Sequence, residues 1–166
     1  GRTSAQGLLL QLEVHGQLIT NSKRFSSCST DYARADPNTH VCPVCLGMPG
    51  VLPVINEQAI EYIVMTGLAL NCRIAEFSKF DRKNYPYPDL MKGYQISQYD
   101  LPVCSDGWLD IAPEGADPRR VCITRVHMEE DTARLLHRTD AVTGEGYSLI
   151  DINRSGTRKE ELRMSP

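Results

Sequence analysis

Apolar and polar positions follow two rhythms along this 166-residue chain. From Leu8 to Thr20 the period is two. Leu12, Val14, Gly16 and Leu18 share one face and Glu13, His15 and Gln17 the other, which predicts a β-strand. Ala59, Ile60, Ile63, Val64, Gly67 and Leu68 recur at helical spacing, so a helix that buries this stripe is expected over about 57–70. Asn56 is its expected N-cap, and Glu57 complements the dipole of the first turn. Short strands are expected at Cys72–Phe77, Tyr94–Tyr99 and Trp108–Ile111, with Asp106-Gly107 as a turn and Ala112–Pro118 as a loop. Arg119–Asp131 alternates again, with Val121, Ile123, Arg125, His127 and Glu129 on one face and Cys122, Thr124, Val126, Met128 and Glu130 on the other. A polar loop from Thr139 to Gly146 leads to a last strand, Tyr147–Asn153. Several short strands around one solid helix predict an α+β fold, mainly antiparallel sheet with one or two packed helices.

One stretch departs from these rhythms. Six of the eleven aromatic residues lie between Phe77 and Tyr99, interleaved with Lys79, Arg82, Lys83 and Lys92. The bonds into Pro86 and Pro88 disfavour helix and favour an extended loop. A stiff, aromatic, cationic loop can clamp an anion or a nucleotide; it can equally cover a sheet edge.

Composition narrows the choice of function. Hydrophobic content of 41% and charged content of 23% are those of an ordinary globular domain, and the length suits one. A formal charge of −3 argues against this chain as the main nucleic-acid grip. Leu8-Leu9-Leu10 is too short to span a membrane and carries no leader pattern, so a cytoplasmic location is the default. The chain starts at Gly1 rather than Met, as a fragment or processed product would. No Gly-rich loop with a following Gly-Lys-Ser/Thr is present, so any use of ATP is of another kind.

Three groups of residues could carry chemistry. Glu13 and His15 sit two apart on one strand face, where they could converge on a cation or simply be solvated. Glu129-Glu130-Asp131 packs three acids at a strand end, which suits a cation or an exposed turn. Of six cysteines, Cys42-Pro43-Val44-Cys45 has the spacing of a metal knuckle, and Cys28 makes a third thiolate; zinc or ordinary reduced thiols both fit. Cys72, Cys104 and Cys122 are isolated and read as small core hydrophobes.

Long ordered runs then point to a family. They include Leu12-Glu13-Val14-His15, Pro37-Asn38-Thr39-His40-Val41-Cys42-Pro43-Val44-Cys45-Leu46-Gly47, and Phe80-Asp81-Arg82-Lys83-Asn84-Tyr85. Further on come Lys92-Gly93-Tyr94-Gln95-Ile96-Ser97-Gln98-Tyr99-Asp100 and Ile123-Thr124-Arg125-Val126-His127-Met128-Glu129-Glu130-Asp131. Together they resemble the B subunit of the aspartyl/glutamyl-tRNA amidotransferases, over residues 8–156 and the front part of that longer protein.

The resemblance implies the N-terminal part of a glutamine-synthetase-like catalytic domain. It also implies an ATP-dependent ligase that phosphorylates the side-chain carboxylate of Glu on tRNA-Gln, or Asp on tRNA-Asn, before ammonia displaces the phosphate. Glu13, His15 and Glu130, with Glu129 as a second acid, would match the Mg2+ ligands; Lys83, supported by Arg82, would meet the phosphates. Implied partners are misacylated tRNA, a glutamine amidase as the A subunit, and a small C subunit, in the cytoplasm or an organellar matrix. Zinc-bearing relatives carry a Cys-x-Cys pair where this chain reads Ser26-Ser27-Cys28, so Ser26 is a poor substitute and His40 the nearest alternative fourth ligand. Gln11 stands where the family has Gly, Gly16 where it has Val, Pro86 where it has an aromatic residue and Met91 where it has Pro. Residues 1–7 are expected to be loose and 157–166 to be a divergent, frayed or weakly helical tail. The chain alone is then expected to be inactive, and a non-catalytic piece docking on the amidase is the other reading.

Overall fold

The computed structural model of the chain describes residues 12–165, and from residue 158 onward the backbone alone. Its centre is a five-stranded antiparallel sheet ordered β1-β9-β6-β5-β2. These strands are β1 (Leu12–Gly16), β2 (Arg73–Ile74), β5 (Cys104–Ile111), β6 (Arg119–Glu130) and β9 (Arg158–Ser165). Two hairpins flank it: β3 (Asp81–Asn84) with β4 (Tyr94–Ser97), and β7 (Arg134–Thr139) with β8 (Gly146–Asp151). The architecture is α+β, as expected.

Helix α1 (Glu57–Ala69) lies across one face of the sheet. Asn56 caps it, its side-chain oxygen accepting from the Gln58 N–H at 3.0 Å. The stripe Ala59, Ile63 and Gly67 is buried against Cys104, Ile123, Val126 and Met128. Fully burying a side chain the size of Ile63 is worth roughly 1.5–3 kcal/mol. Gly67 permits the close approach, because a Cβ there would stand 2.3 Å from Cys104 Sγ. Leu68, placed on the stripe by periodicity, is instead 62% exposed at its margin.

Strand β6 breaks the expected alternation. Its register with β9 shifts by one between Ile123 and Arg125, leaving Thr124 as an extra residue. Ile123 therefore joins Val126 and Met128 in the core, while Arg125, His127 and Glu129 turn to the opposite face. Asp106-Gly107 is no turn; both residues lie inside β5, with Asp106 at φ +56°. Gly107 is needed there, since a Cβ would meet Cys72 Sγ at 2.3 Å and Leu70 O at 2.7 Å.

Several other expectations change. Strand β1 ends at Gly16, and its apolar residues Leu12 and Val14 are exposed at the sheet edge. The expected strand residues 8–11 and the loose segment 1–7 lie outside the described residues. The charged tail does not fray: Arg158–Ser165 is the strand between β1 and β6. Leu162 and Met164 take register positions between Val14 and Val126 and between Leu12 and Ile123, a period of two that outweighs the charge of the segment. The aromatic stretch opens as a hairpin strand rather than a free loop, with Asp81–Asn84 paired to Tyr94–Ser97. Cys72 and Cys104 are buried as read, but Cys122 is exposed.

Candidate active site and cysteine cluster

The face of the sheet opposite α1 forms the floor of a cavity of about 540 Å³. Glu13 and His15 of β1 and Arg125, His127 and Glu129 of β6 line it. Through β9, Glu13 stands in register with Arg125 and His15 with His127, two strand spacings or roughly 9–10 Å apart along the sheet. The β3–β4 hairpin closes the other side with Asp81, Arg82, Lys83, Ser97 and Gln98. Gln98 secures this wall, accepting from the Met128 N–H at 3.2 Å and donating to Ser78 Oγ at 2.6 Å.

The charges in the cavity are arranged in pairs. His15 Nε2 lies 3.0 Å from Glu13 Oε1, so the two side chains of the E-x-H face do meet. Glu129 is 4% exposed; it accepts from Gln95 Nε2 at 3.0 Å and Ser97 Oγ at 3.1 Å. Lys83 Nζ stands 3.8 Å from Glu129 Oε2 and 5.9 Å from the Tyr85 ring centre, with its side chain 58% exposed. The Arg82 guanidinium lies 4.5 Å over the Tyr94 ring. His127 is buried, and desolvation, aided by the Arg125 guanidinium, pulls its pKa down to about 4. It is a neutral imidazole at neutral pH.

Glu130 is the correction. Adjacent residues on a strand face opposite ways. Glu130 therefore leaves the cavity and receives Lys92 Nζ at 2.5 Å and the Ile96 N–H at 3.2 Å. It lies 3.4 Å from where a Cβ on Gly156 would stand, among Phe25, Ser26 and Cys45. Glu129 takes the place expected of Glu130. His127 and Arg125 were not singled out from the sequence, although the period of two that pairs Glu13 with His15 also sets them beside Glu129.

Carboxylates with imidazoles form a donor set that suits a hard divalent cation. These groups are spread over the floor: among the described residues, only Cys28, Cys42 and Cys45 bring three such ligand atoms within 4.8 Å of one another. Mg2+ keeps several of its waters when bound and so needs few direct protein ligands.

Two facing turns build the cysteine cluster. In one, Lys23 N–H donates to Cys28 O at 2.9 Å and Ser22 bridges to Ser29, so that Ser26 and Cys28 project together. In the other, Leu46 N–H donates to Cys42 O at 3.0 Å and Gly47 N–H to Val44 O at 3.1 Å. Gly47 completes that turn at φ +66°, against the Lys92 backbone. The Sγ atoms of Cys42 and Cys45 are 3.7 Å apart and those of Cys45 and Cys28 are 3.9 Å apart. Burial pushes the Cys28 thiol up to about 11. For Cys42 burial acts the same way, but hydrogen bonds from Cys45, Cys28 and Ser26 outweigh it and bring the thiol down to about 7. His40 is not part of the cluster: its Nδ1 lies 3.4 Å from Ser29 O, and its backbone N–H donates to Asn153 Oδ1.

Comparison with known proteins bears on this arrangement. The profile of the GatB/GatE catalytic domain matches residues 8–166, nearly the whole chain and including β9. The chain belongs to this family. GatB/GatE relatives include the B subunit of the aspartyl/glutamyl-tRNA(Asn/Gln) amidotransferase of Thermomicrobium roseum, 66% identical over 158 residues. The corresponding protein of Dehalococcoides mccartyi is 64% identical over 158 residues, and that of a Nostoc species 55% over 163. Each match covers 95% of this chain but only 32–33% of the relative, so the chain spans about a third of the length of these proteins. The family match runs on through residue 166. Among the described residues no helix is long and apolar enough to cross a membrane.

Proposed function

We propose that this chain carries the carboxylate-activating part of an ATP-dependent aminoacyl-tRNA amidotransferase. In this reading the side-chain carboxylate of glutamate on tRNA-Gln, or of aspartate on tRNA-Asn, is phosphorylated in the cavity and then amidated by ammonia. Such activation parallels that of glutamine synthetase, because ammonia cannot displace a carboxylate oxygen until that oxygen becomes a good leaving group. The observation that carries the reading is the cavity itself, where Lys83 stands beside Glu129 and faces Glu13 and His15 across one floor.

Each residue has a physical task. Phosphoryl transfer needs fixed positive charge against the transferring group. Lys83 is exposed and its link to Glu129 is long, so its ammonium is free to turn to a phosphate. Arg82, stacked on Tyr94, and Arg125, 5.1 Å over the Tyr99 ring, supply further charge from the wall and the floor. Glu13, Glu129 and His15 would hold Mg2+, which when bound neutralises phosphate charge. His127 stays neutral and so adds no repulsion toward that ion. Ser97 and Gln95 orient the Glu129 carboxylate through their hydrogen bonds.

The remaining parts of the reading follow from the same kinship. The glutamine amidase, as the A subunit, supplies ammonia in company with the small C subunit. Misacylated tRNA is gripped by portions of the longer protein beyond this chain. The compartment is the cytoplasm or an organellar matrix. A structural zinc sits on Cys28, Cys42 and Cys45.

Thermal unfolding with ATP and Mg2+ tests the reading. A stabilising shift that needs both ligands and disappears in Glu13→Ala and in Lys83→Ala is the expected result. If neither substitution alters the shift, the nucleotide does not sit against Glu13 and Lys83; if no shift occurs while the amidase is still captured by wild type and both variants, the chain is a docking piece instead.

A further inference from the structure

Three thiols leave one vertex of a tetrahedron to fill, and the Ser26 hydroxyl lies against one of them. Its Oγ is 3.4 Å from Cys45 Sγ, the sulfur that itself lies 3.7 Å from Cys42 Sγ and 3.9 Å from Cys28 Sγ. With metal–sulfur bonds of about 2.3 Å, a tetrahedral zinc has S···S edges of about 3.8 Å, and with Zn–O near 2.0 Å an O···S edge of about 3.5 Å. The measured edges of 3.7, 3.9 and 3.4 Å match this frame.

We propose that Ser26 Oγ is the fourth donor of a three-cysteine, one-serine zinc site, with Lys23 as the positioning residue that balances its charge. The assignment rests on the zinc reading above and changes its chemistry. His40, the other nearby donor, is committed to Ser29 and Asn153 outside the cluster. Lys23 is fully buried, and its ammonium donates to Cys45 Sγ at 3.5 Å and to Ile152 O at 3.5 Å. Three thiolates, one neutral hydroxyl and Zn2+ sum to −1, and the Lys23 ammonium brings the half-buried cluster to zero. An N–H···S bond from outside the ligand sphere also fixes the orientation of the Cys45 sulfur. A neutral hydroxyl is a weaker donor than a thiolate, so the zinc is held less tightly than by four cysteines.

Cobalt(II) substitution and zinc competition against a chromophoric chelator test this assignment, with folding of each variant checked by circular dichroism. Ser26 is half-buried and small, so alanine and cysteine there are compatible with the fold. The wild-type chain should bind one metal with tetrahedral ligand-field bands. In Ser26→Cys the thiolate-to-cobalt band should rise by about one third, as three thiolates become four, with zinc affinity up at least about tenfold. Ser26→Ala should lose about tenfold in affinity and change the ligand-field bands, and Lys23→Met should lose about 10- to 100-fold with the thiolate count unchanged. His40→Ala should match wild type. An unchanged spectrum and affinity in Ser26→Ala would overturn the serine assignment alone. No metal on the wild-type chain, with all three thiols reacting freely, would overturn the zinc reading and the serine assignment with it.

Discussion

Glu129 and Glu130 are neighbours in the chain and equally buried, at 4% exposure each, yet they belong to different parts of the molecule. Glu129 faces the cavity, held by Gln95 and Ser97, and its cation, Lys83, is 58% exposed at 3.8 Å. Glu130 faces the packed side, and its cation, Lys92, is only 10% exposed at 2.5 Å. A short, enclosed ion pair has no capacity left for a ligand, and each partner requires the other. A long, open pair can exchange its cation for a metal or give it up to a phosphate. Equal burial of the acids thus conceals opposite roles, and the exposure of the partner separates them.

The largest effect should come from breaking the enclosed pair. Glu130→Ala strands the Lys92 ammonium and should destabilise the fold by about 3–5 kcal/mol in urea unfolding. Glu129→Gln keeps the shape and a hydrogen-bonding carbonyl, and should lie within about 1 kcal/mol of wild type. It should nonetheless abolish the ATP–Mg2+ thermal shift. If Glu129→Gln were the more destabilising change, the contrast would be broken.

Next in size is a pH effect from the cavity floor. The folded pKa of His127 is about 4, against 6.5 ordinarily. Between those values the unfolded chain takes up a proton that the folded chain refuses. Stability is therefore lost as pH falls from about 6.5 to about 4, by at most about 1.4 kcal/mol per pH unit from this group, and its effect is flat above 6.5. Urea midpoints for wild type and His127→Gln should diverge in that window and run parallel above it.

Gly67→Ala tests the face opposite the cavity. Its Cβ would have to displace Cys104 Sγ, and overpacking of this kind costs about 1–3 kcal/mol. The ATP–Mg2+ shift should survive wherever the variant is folded. The smallest effect on stability belongs to Lys83→Ala, within about 0.5 kcal/mol because the ion pair is solvated. Nucleotide binding should nevertheless vanish, and a large loss of stability without loss of binding would reverse the roles given to Lys83 and Lys92.

Much of the scaffold was legible in advance, wherever one local rule acted alone. Asn56 and the apolar stripe mark α1 almost to the residue, since capping and helical spacing are properties of a dozen consecutive residues. The Cys42–Cys45 knuckle and the shared face of Glu13 and His15 are legible for the same reason. Failures came where a distant strand decided. The tail at 158–165 looked too charged to pair, yet β1 and β6 offer it backbone partners on both sides. Asp106-Gly107 has the composition of a turn, but Leu70 and Cys72 need a residue without a Cβ against them inside β5. Ser26 was read as a gap in a ligand set, and its contact with Cys45 is a product of two turns meeting.

By itself the amino-acid sequence determined the α+β class, the helix and its cap, the cysteine knuckle and the family, because these depend on neighbours within a few residues or on ordered identity over the whole chain. Tertiary structure alone decided that the face shared by Arg125, His127 and Glu129 is the cavity floor, that Glu130 turns to the packed side, and that Ile123 belongs to the core. The physical reason is the bulge at Thr124. One extra residue in a single strand inverts which side every later side chain occupies, and it appears only when β6 is laid against β9.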